Sequence, residues 1–138
     1  MISLGVRESE QIATVVKYLR SHHYEVILWG RSMGAASAIK YGKTDVIVAD
    51  SSFRSMKKLC KEFAKNNKPK IIPECLVGCL FPCVYTKLRS DIEQKANFNL
   101  EDLSIEDEIK NISPTTTIIF IWGEDDTLIN QKHCQKLY

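Results

Sequence analysis

Two hydrophobic periods alternate along this chain. Between residues 7 and 20, Ile12, Val15, Val16 and Leu19 recur at helical spacing with charged residues between them, which predicts an amphipathic helix ending near Ser21. The period then shortens. "YEVILW" (24–29), "DVIVAD" (45–50) and "TTTIIFIW" (115–122) are short β-branched and aromatic runs of strand length, read as strands buried on both faces of a parallel sheet. "MGAASAIKY" (33–41) is rich in helix formers and ends at Gly42, a C-cap residue. "SSFRSMKKLCKEFAKN" offers serine caps followed by a helix to about Asn66.

Residues 67–114 break this rhythm. They hold an apolar run, "IIPECLVGCLFPCVY" (71–85), read as a buried or docking helix that Pro82 bends or ends, and then a polar stretch, "RSDIEQKANFNLEDLS". A short helix opened by Ser104 closes before Pro114, and a last helix starts within "NQKHCQKLY". The order of elements predicts one α/β domain over 1–138, a parallel sheet flanked by helices on both faces. Its core is 1–66 and 115–138, with a helical insertion at 67–114. No internal repeat or low-complexity tract is visible.

Composition narrows the picture only a little. A chain of 138 residues with 44% hydrophobic content can bury a real core. Nineteen basic against 17 acidic residues leave a net charge of +2, too weak and dispersed to argue for nucleic acid or an anionic membrane surface. The local cluster "KKLCKEFAKNNKPK" (57–70) reads first as the solvated side of a helix and its exit loop, and second as a phosphate-binding patch. The run at 71–85 is interrupted by Pro73, Glu74 and Pro82 and is too short for a membrane span. Five cysteines and no visible targeting segment point to a reducing compartment, the cytoplasm. Cys75, Cys79 and Cys83 share one helix face without the second ligand pair of a zinc site. They read as small apolar core residues, and neither a metal nor a cofactor is expected.

The candidate chemistry sits in "VILWGRSMGAAS" (26–37), where a strand runs into Gly30-Arg31-Ser32-Met33-Gly34 and then a helix. A serine hydroxyl is a poor nucleophile unless it is exposed and a base takes its proton. The strand-to-helix turn G-x-S-x-G exposes it by forcing strained backbone angles, while glycines let strand and helix pass closely. The other readings are a turn that only packs tightly or one that binds phosphate at a helix N-terminus. A dinucleotide loop would need G-x-G-x-x-G, which is absent.

"LWGRSMGAASAIKYG", "VIVADSSF" and "IWGEDDTLI" together resemble the α/β-hydrolase superfamily, most nearly its serine-aminopeptidase-like and acyltransferase-like branch. The resemblance runs from about Leu4 to Leu137 and is vague between 67 and 114. It implies a partial α/β-hydrolase fold and a serine hydrolase acting through an acyl-enzyme on an ester, thioester, amide or peptide bond of a small acyl or peptide substrate. Ser32 matches the nucleophile, Gly30 and Gly34 the elbow glycines, and the Met33 N–H one oxyanion donor. Asp126 matches the acid that orients a histidine, with Asp125 beside it and Asp50 an alternative one strand earlier. Asp50 and Ser51 otherwise read as a loop and helix cap. The insertion stands where such proteins often carry a lid, with Leu76, Leu80, Phe81 and Tyr85 lining an acyl surface or simply burying the segment.

The histidines depart from that pattern. His133 follows Asp126 by seven residues, too early for the family's order, and reads as a surface or packing residue. His22 and His23 precede the elbow strand and so lie at its far end. The resemblance therefore implies an internal piece of a longer hydrolase, inactive by itself, or else a non-catalytic interaction or scaffold protein on the same sheet. With no strand before it, the elbow strand is expected to leave an unpaired apolar edge that invites self-association.

Overall fold

The computed structural model describes residue 3 and residues 5–138. Three parallel strands, β1 (Ile27–Arg31), β2 (Val46–Asp50) and β3 (Thr117–Ile121), form one sheet in the order β1-β2-β3. Their registers align in rows across the sheet. Leu28, Ile47 and Ile118 make one row, and Gly30, Ala49 and Phe120 another. Period-2 alternation puts both rows on one face. There they meet α2 (Met33–Tyr41), whose Ala35, Ala36, Ala38 and Ile39 are buried with Phe53, Ile105, Ile129 and Leu137. The last three come from α5 (Ile105–Ile109), the loop after β3 and α6 (Lys132–Leu137). Small residues in the Gly30–Ala49 row and along α2 let helix and sheet approach closely. α1 (Glu8–Ser21) packs against α2.

The opposite face is open, which corrects the expectation of helices on both sides. Its rows are Ile27–Val46–Thr117, Trp29–Val48–Ile119 and Arg31–Asp50–Ile121. Ile27 is 65% exposed, Trp29 73%, Ile119 46% and Ile121 40%. Only β2 places fully buried residues, Ile47 and Ala49, so β1 and β3 are not buried on both faces. Topology explains this. Both crossovers step in the same direction across the sheet, and right-handed connections taken in one direction fall on one face. The expected unpaired edge is present, since β1 pairs with β2 alone among the described residues.

Several boundaries moved for local reasons. β1 begins at Ile27 rather than at Tyr24, because Tyr24 closes α1: its N–H bonds the Leu19 carbonyl (3.1 Å) and the His23 N–H bonds that of Arg20 (3.0 Å). With His23 at φ 63°, this is the double C-terminal bond of a Schellman stop, built without glycine. Gly42 caps α2 at φ 60° as expected. Ser55 caps α3 (Met56–Asn66) through the Lys58 N–H.

Residues 67–114 are dominated by α4 (Glu74–Ala96), which runs through Pro82 and takes in most of the polar stretch, so Pro82 does not end it. Pro82 sits on the exposed side, and its neighbours Phe81 and Tyr85 anchor the turns around it. Glu93, Gln94, Lys95 and Ala96 are good helix formers, and Asn97 stops the helix in the left-handed region at φ 54°. Phe81 and Tyr85 join Phe98, Leu100 and Leu103 in a second cluster, with Met56, Cys60 and Ile92 against it. Leu100 belongs to a 3-10 turn (Leu100–Asp102). Cys75, Cys79 and Cys83 are exposed, which corrects their reading as core. Each is two residues from Val77, Phe81 or Tyr85, about 200° around the helix, and so faces away from the buried stripe.

Candidate functional site

Ser32 stands between β1 and α2 with φ 51° and ψ −111°. A non-glycine residue held there carries roughly 1–3 kcal/mol of backbone strain, which the surrounding structure must over-determine. Two contacts do so. The Ser32 N–H donates to the Asp50 carbonyl at 2.8 Å, continuing the sheet past β1, and its own carbonyl accepts the first helical bond from Ala36 at 3.1 Å. Gly30 is obligatory: a Cβ there would lie 2.2 Å from the carbonyl carbon and oxygen of Gly34. Gly34 is different, because a Cβ on it would meet open space, so only one of the two elbow glycines is demanded by packing. Ser32 is half-buried. The Met33 N–H lies in the first turn of α2, where amides have no intrahelical acceptor.

The acids gather at the same edge of the sheet. Asp126 Oδ1 accepts the Leu128 and Ile129 N–H groups, each at 2.9 Å. The Ile129 amide, with help from the Leu128 amide, the Ser51 hydroxyl and the Arg31 charge, holds the Asp126 carboxyl below the usual carboxylate range despite partial burial. It is thus a fixed anion with a defined orientation. Asp50 is bonded by the Ser51 hydroxyl at Oδ1 (3.1 Å) and has Arg31 Nε 3.9 Å from Oδ2. Asp125 is exposed.

Ser51 lies in the turn after β2, as its loop reading expects, but it caps no helix. It is buried, with φ 50°, and its N–H donates to the Ile121 carbonyl at 2.7 Å. β1 and β2 therefore both end in a left-handed serine whose amide bonds the last carbonyl of the next strand. Ser51 sits between the side chains of Asp50 and Asp126. The strand-Asp-Ser-Ser pattern carried no separate signal for it. The helix cap is Ser55.

The histidines do not join this cluster. His22 and His23 are exposed in the turn before β1, at the other end of a five-residue strand roughly 17 Å long. His133 is 1% exposed and fully engaged: Nδ1 accepts the Arg54 N–H at 3.1 Å, and Nε2 lies 2.9 Å from Glu62 Oε2. That geometry assigns the proton to Nε2 and ties α6 to α3 and the loop before it. Its role is packing, not surface. Ser32 and Asp126 thus share an edge, while no histidine of this sequence lies at it.

The four residues expected to line an acyl surface divide. Phe81 and Tyr85 face an apolar groove between α3 and α4 that reaches the Asp126 loop through Leu128, whereas Leu76 and Leu80 are exposed and outside it. The groove does not include Ser32. Among the described residues no group of three or more His, Cys, Asp or Glu side chains is placed to hold a metal ion, and no helix is long and apolar enough to cross a membrane. No family model, curated protein or solved structure matches this chain.

Proposed function

We propose that this chain carries the nucleophile-bearing part of a serine hydrolase of the α/β-hydrolase type. Ser32 Oγ attacks the carbonyl carbon of an ester, thioester, amide or peptide bond in a small acyl or peptide substrate. Its proton passes to a histidine from outside this sequence, which Asp126 orients. The Met33 N–H donates to the developing oxyanion, the leaving group departs with the proton, and water releases the acyl group from Ser32. Residues 67–114 serve as a lid-like unit, and the count of five cysteines suits the cytoplasm.

The observation that carries this reading is the backbone of Ser32 at φ 51°, ψ −111°, held against a Gly30 that admits no side chain. Strained residues of this kind cluster at active sites, and Ser32, unlike the buried Ser51, is half-exposed. The second reading, a non-catalytic binding protein on the same sheet, is favoured by the engagement of His133 in packing and by the open apolar sheet face.

Labelling by a fluorophosphonate separates the two. The 138-residue chain should label weakly, and the protein with its native flanking sequence should label strongly at Ser32, with Ser32→Ala abolishing the signal. A folded, native-length protein that stays unlabelled would overturn the hydrolase reading in favour of the binding protein.

A further inference from the structure

Two cavities meet between α3 and α4. The first, about 390 Å³, is walled by Lys57, Lys58 and Lys61 of α3 and by Arg89 of α4, with Glu101 at its rim. The second, about 340 Å³, is the apolar groove of Met56, Leu59, Phe63, Val84 and Leu88. Phe81 and Tyr85 line both, so a cationic pocket and an apolar one share a pair of aromatic rings stacked 5.5 Å apart.

The charges of the first cavity are unevenly met. Lys58 is engaged by Glu106. Lys57 and Arg89 share one oxygen of Glu101, at 3.9 and 3.8 Å, too far for a hydrogen bond to either. Lys61 has no ion-pair partner among the described residues. Lys57 and Lys61 stand one turn apart on α3 and face Tyr85 and Arg89, one turn apart on α4. Lys57 Nζ lies 5.6 Å from the centre of the Tyr85 ring.

Tyr85 adds an independent sign. It is 4% exposed, and its hydroxyl is buried without a hydrogen-bond partner among the described residues. A buried donor left unmade is costly, so a group that completes it is favoured. Burial first, and then the Glu101 charge, push the phenol up to about 12, which keeps it a proton donor.

We propose that the two adjacent cavities together are a binding site for a single-chain alkyl phosphate. The phosphate replaces Glu101 between Lys57, Lys61 and Arg89, within reach of the Tyr85 hydroxyl, and the alkyl chain passes Phe81 into the apolar groove. Charge complementarity selects the head group and the groove selects the tail. Neither cavity includes Ser32, so the site stands or falls apart from the hydrolase reading.

Calorimetric titration of the chain carrying Ser32→Ala, with dodecyl phosphate below its micelle concentration, tests this. Dodecyl phosphate should bind roughly tenfold or more tightly than inorganic phosphate, laurate or the neutral dodecyl maltoside. The double change Lys61→Gln, Arg89→Gln should weaken dodecyl phosphate by about tenfold and leave dodecyl maltoside unchanged. Tyr85→Phe should weaken it severalfold with no loss of melting temperature. Both tryptophans belong to the open sheet face or its end, so their emission should not move on binding. Equal affinity for the neutral amphiphile, no loss in either variant, or a blue shift of tryptophan emission would overturn the site.

Discussion

The two faces of the sheet are built from equally apolar strands and meet opposite fates. On one, Leu28, Ile47, Ala49, Ile118 and Phe120 close against α2, α5 and α6. On the other, Ile27, Trp29, Ile119 and Ile121 stand in solvent. The difference does not lie in hydrophobicity, since Trp29 is the largest side chain of either face and the most exposed of those named. It lies in how many layers the connections supply: two crossovers in one direction cover one face. An apolar strand therefore reports that both of its faces can be buried, and the topology decides which of them is.

That contrast gives experiments of decreasing size. The largest effect should come from Gly30→Ala on the covered face, where the new Cβ collides with the Gly34 backbone. We expect a loss of more than about 3 kcal/mol, or no folded protein, by urea denaturation. Trp29→Ala, the next residue but on the open face, should change stability by less than about 0.5 kcal/mol in the same titration. A comparable loss for both would show that the open face is covered in solution. Ile47→Ala, at the centre of the covered face, should cost roughly 2–5 kcal/mol by transfer and cavity terms together.

His133→Ala comes next, at about 1–3 kcal/mol, because it strands the Arg54 N–H beneath α6. His133→Asn, which can still accept from that amide, should recover part of the loss in the same denaturation series. Beside it, Glu106 binds Arg54 and Lys58. Against the opposing effect of burial, those two cations hold its carboxyl below its ordinary value of 4.5. Stability from this cluster is therefore full above pH 4.5 and falls as pH drops through the lower folded value. Thermal melts from pH 6 down to pH 3 should show that slope, and Glu106→Gln should flatten it. The smallest change in stability, yet the most telling for the open face, should follow Trp29→Ser with Ile119→Thr. Melting should shift little, while sedimentation should show less self-association than the parent chain. A parent chain that sediments as a monomer at all concentrations would show that the open face and β1 edge do not associate.

Element order, the parallel pairing, the Gly42 cap and the unpaired edge of the elbow strand were all legible in the sequence. So was the tight strand-to-helix turn, because Gly30 and Gly34 flank Ser32 after a β-branched run. What failed did so for physical reasons. Cys75, Cys79 and Cys83 were apolar enough for a core, but their phase on α4 relative to Phe81 and Tyr85 turns them outward. Pro82 was expected to bend or end its helix and does not end it, because on an exposed stripe its missing N–H is outweighed by the anchored turns on either side. Ser51 carried no glycine pattern, so its left-handed backbone became visible only once the Ile121 carbonyl was beside it.

The sequence by itself determined what each short segment would do with its own backbone. It set where the period changes from 3.6 to 2, where a side chain is intolerable, as at Gly30, and where a helix must stop, as at Gly42. Tertiary structure alone decided which face of the sheet is covered, that His133 is taken up by Arg54 and Glu62, and that Ser51 joins Asp50 and Asp126. Local conformation follows from sterics and hydrogen bonds within a few residues of chain. Burial and partnership follow from which segments the crossovers bring together, and no window of sequence contains both partners.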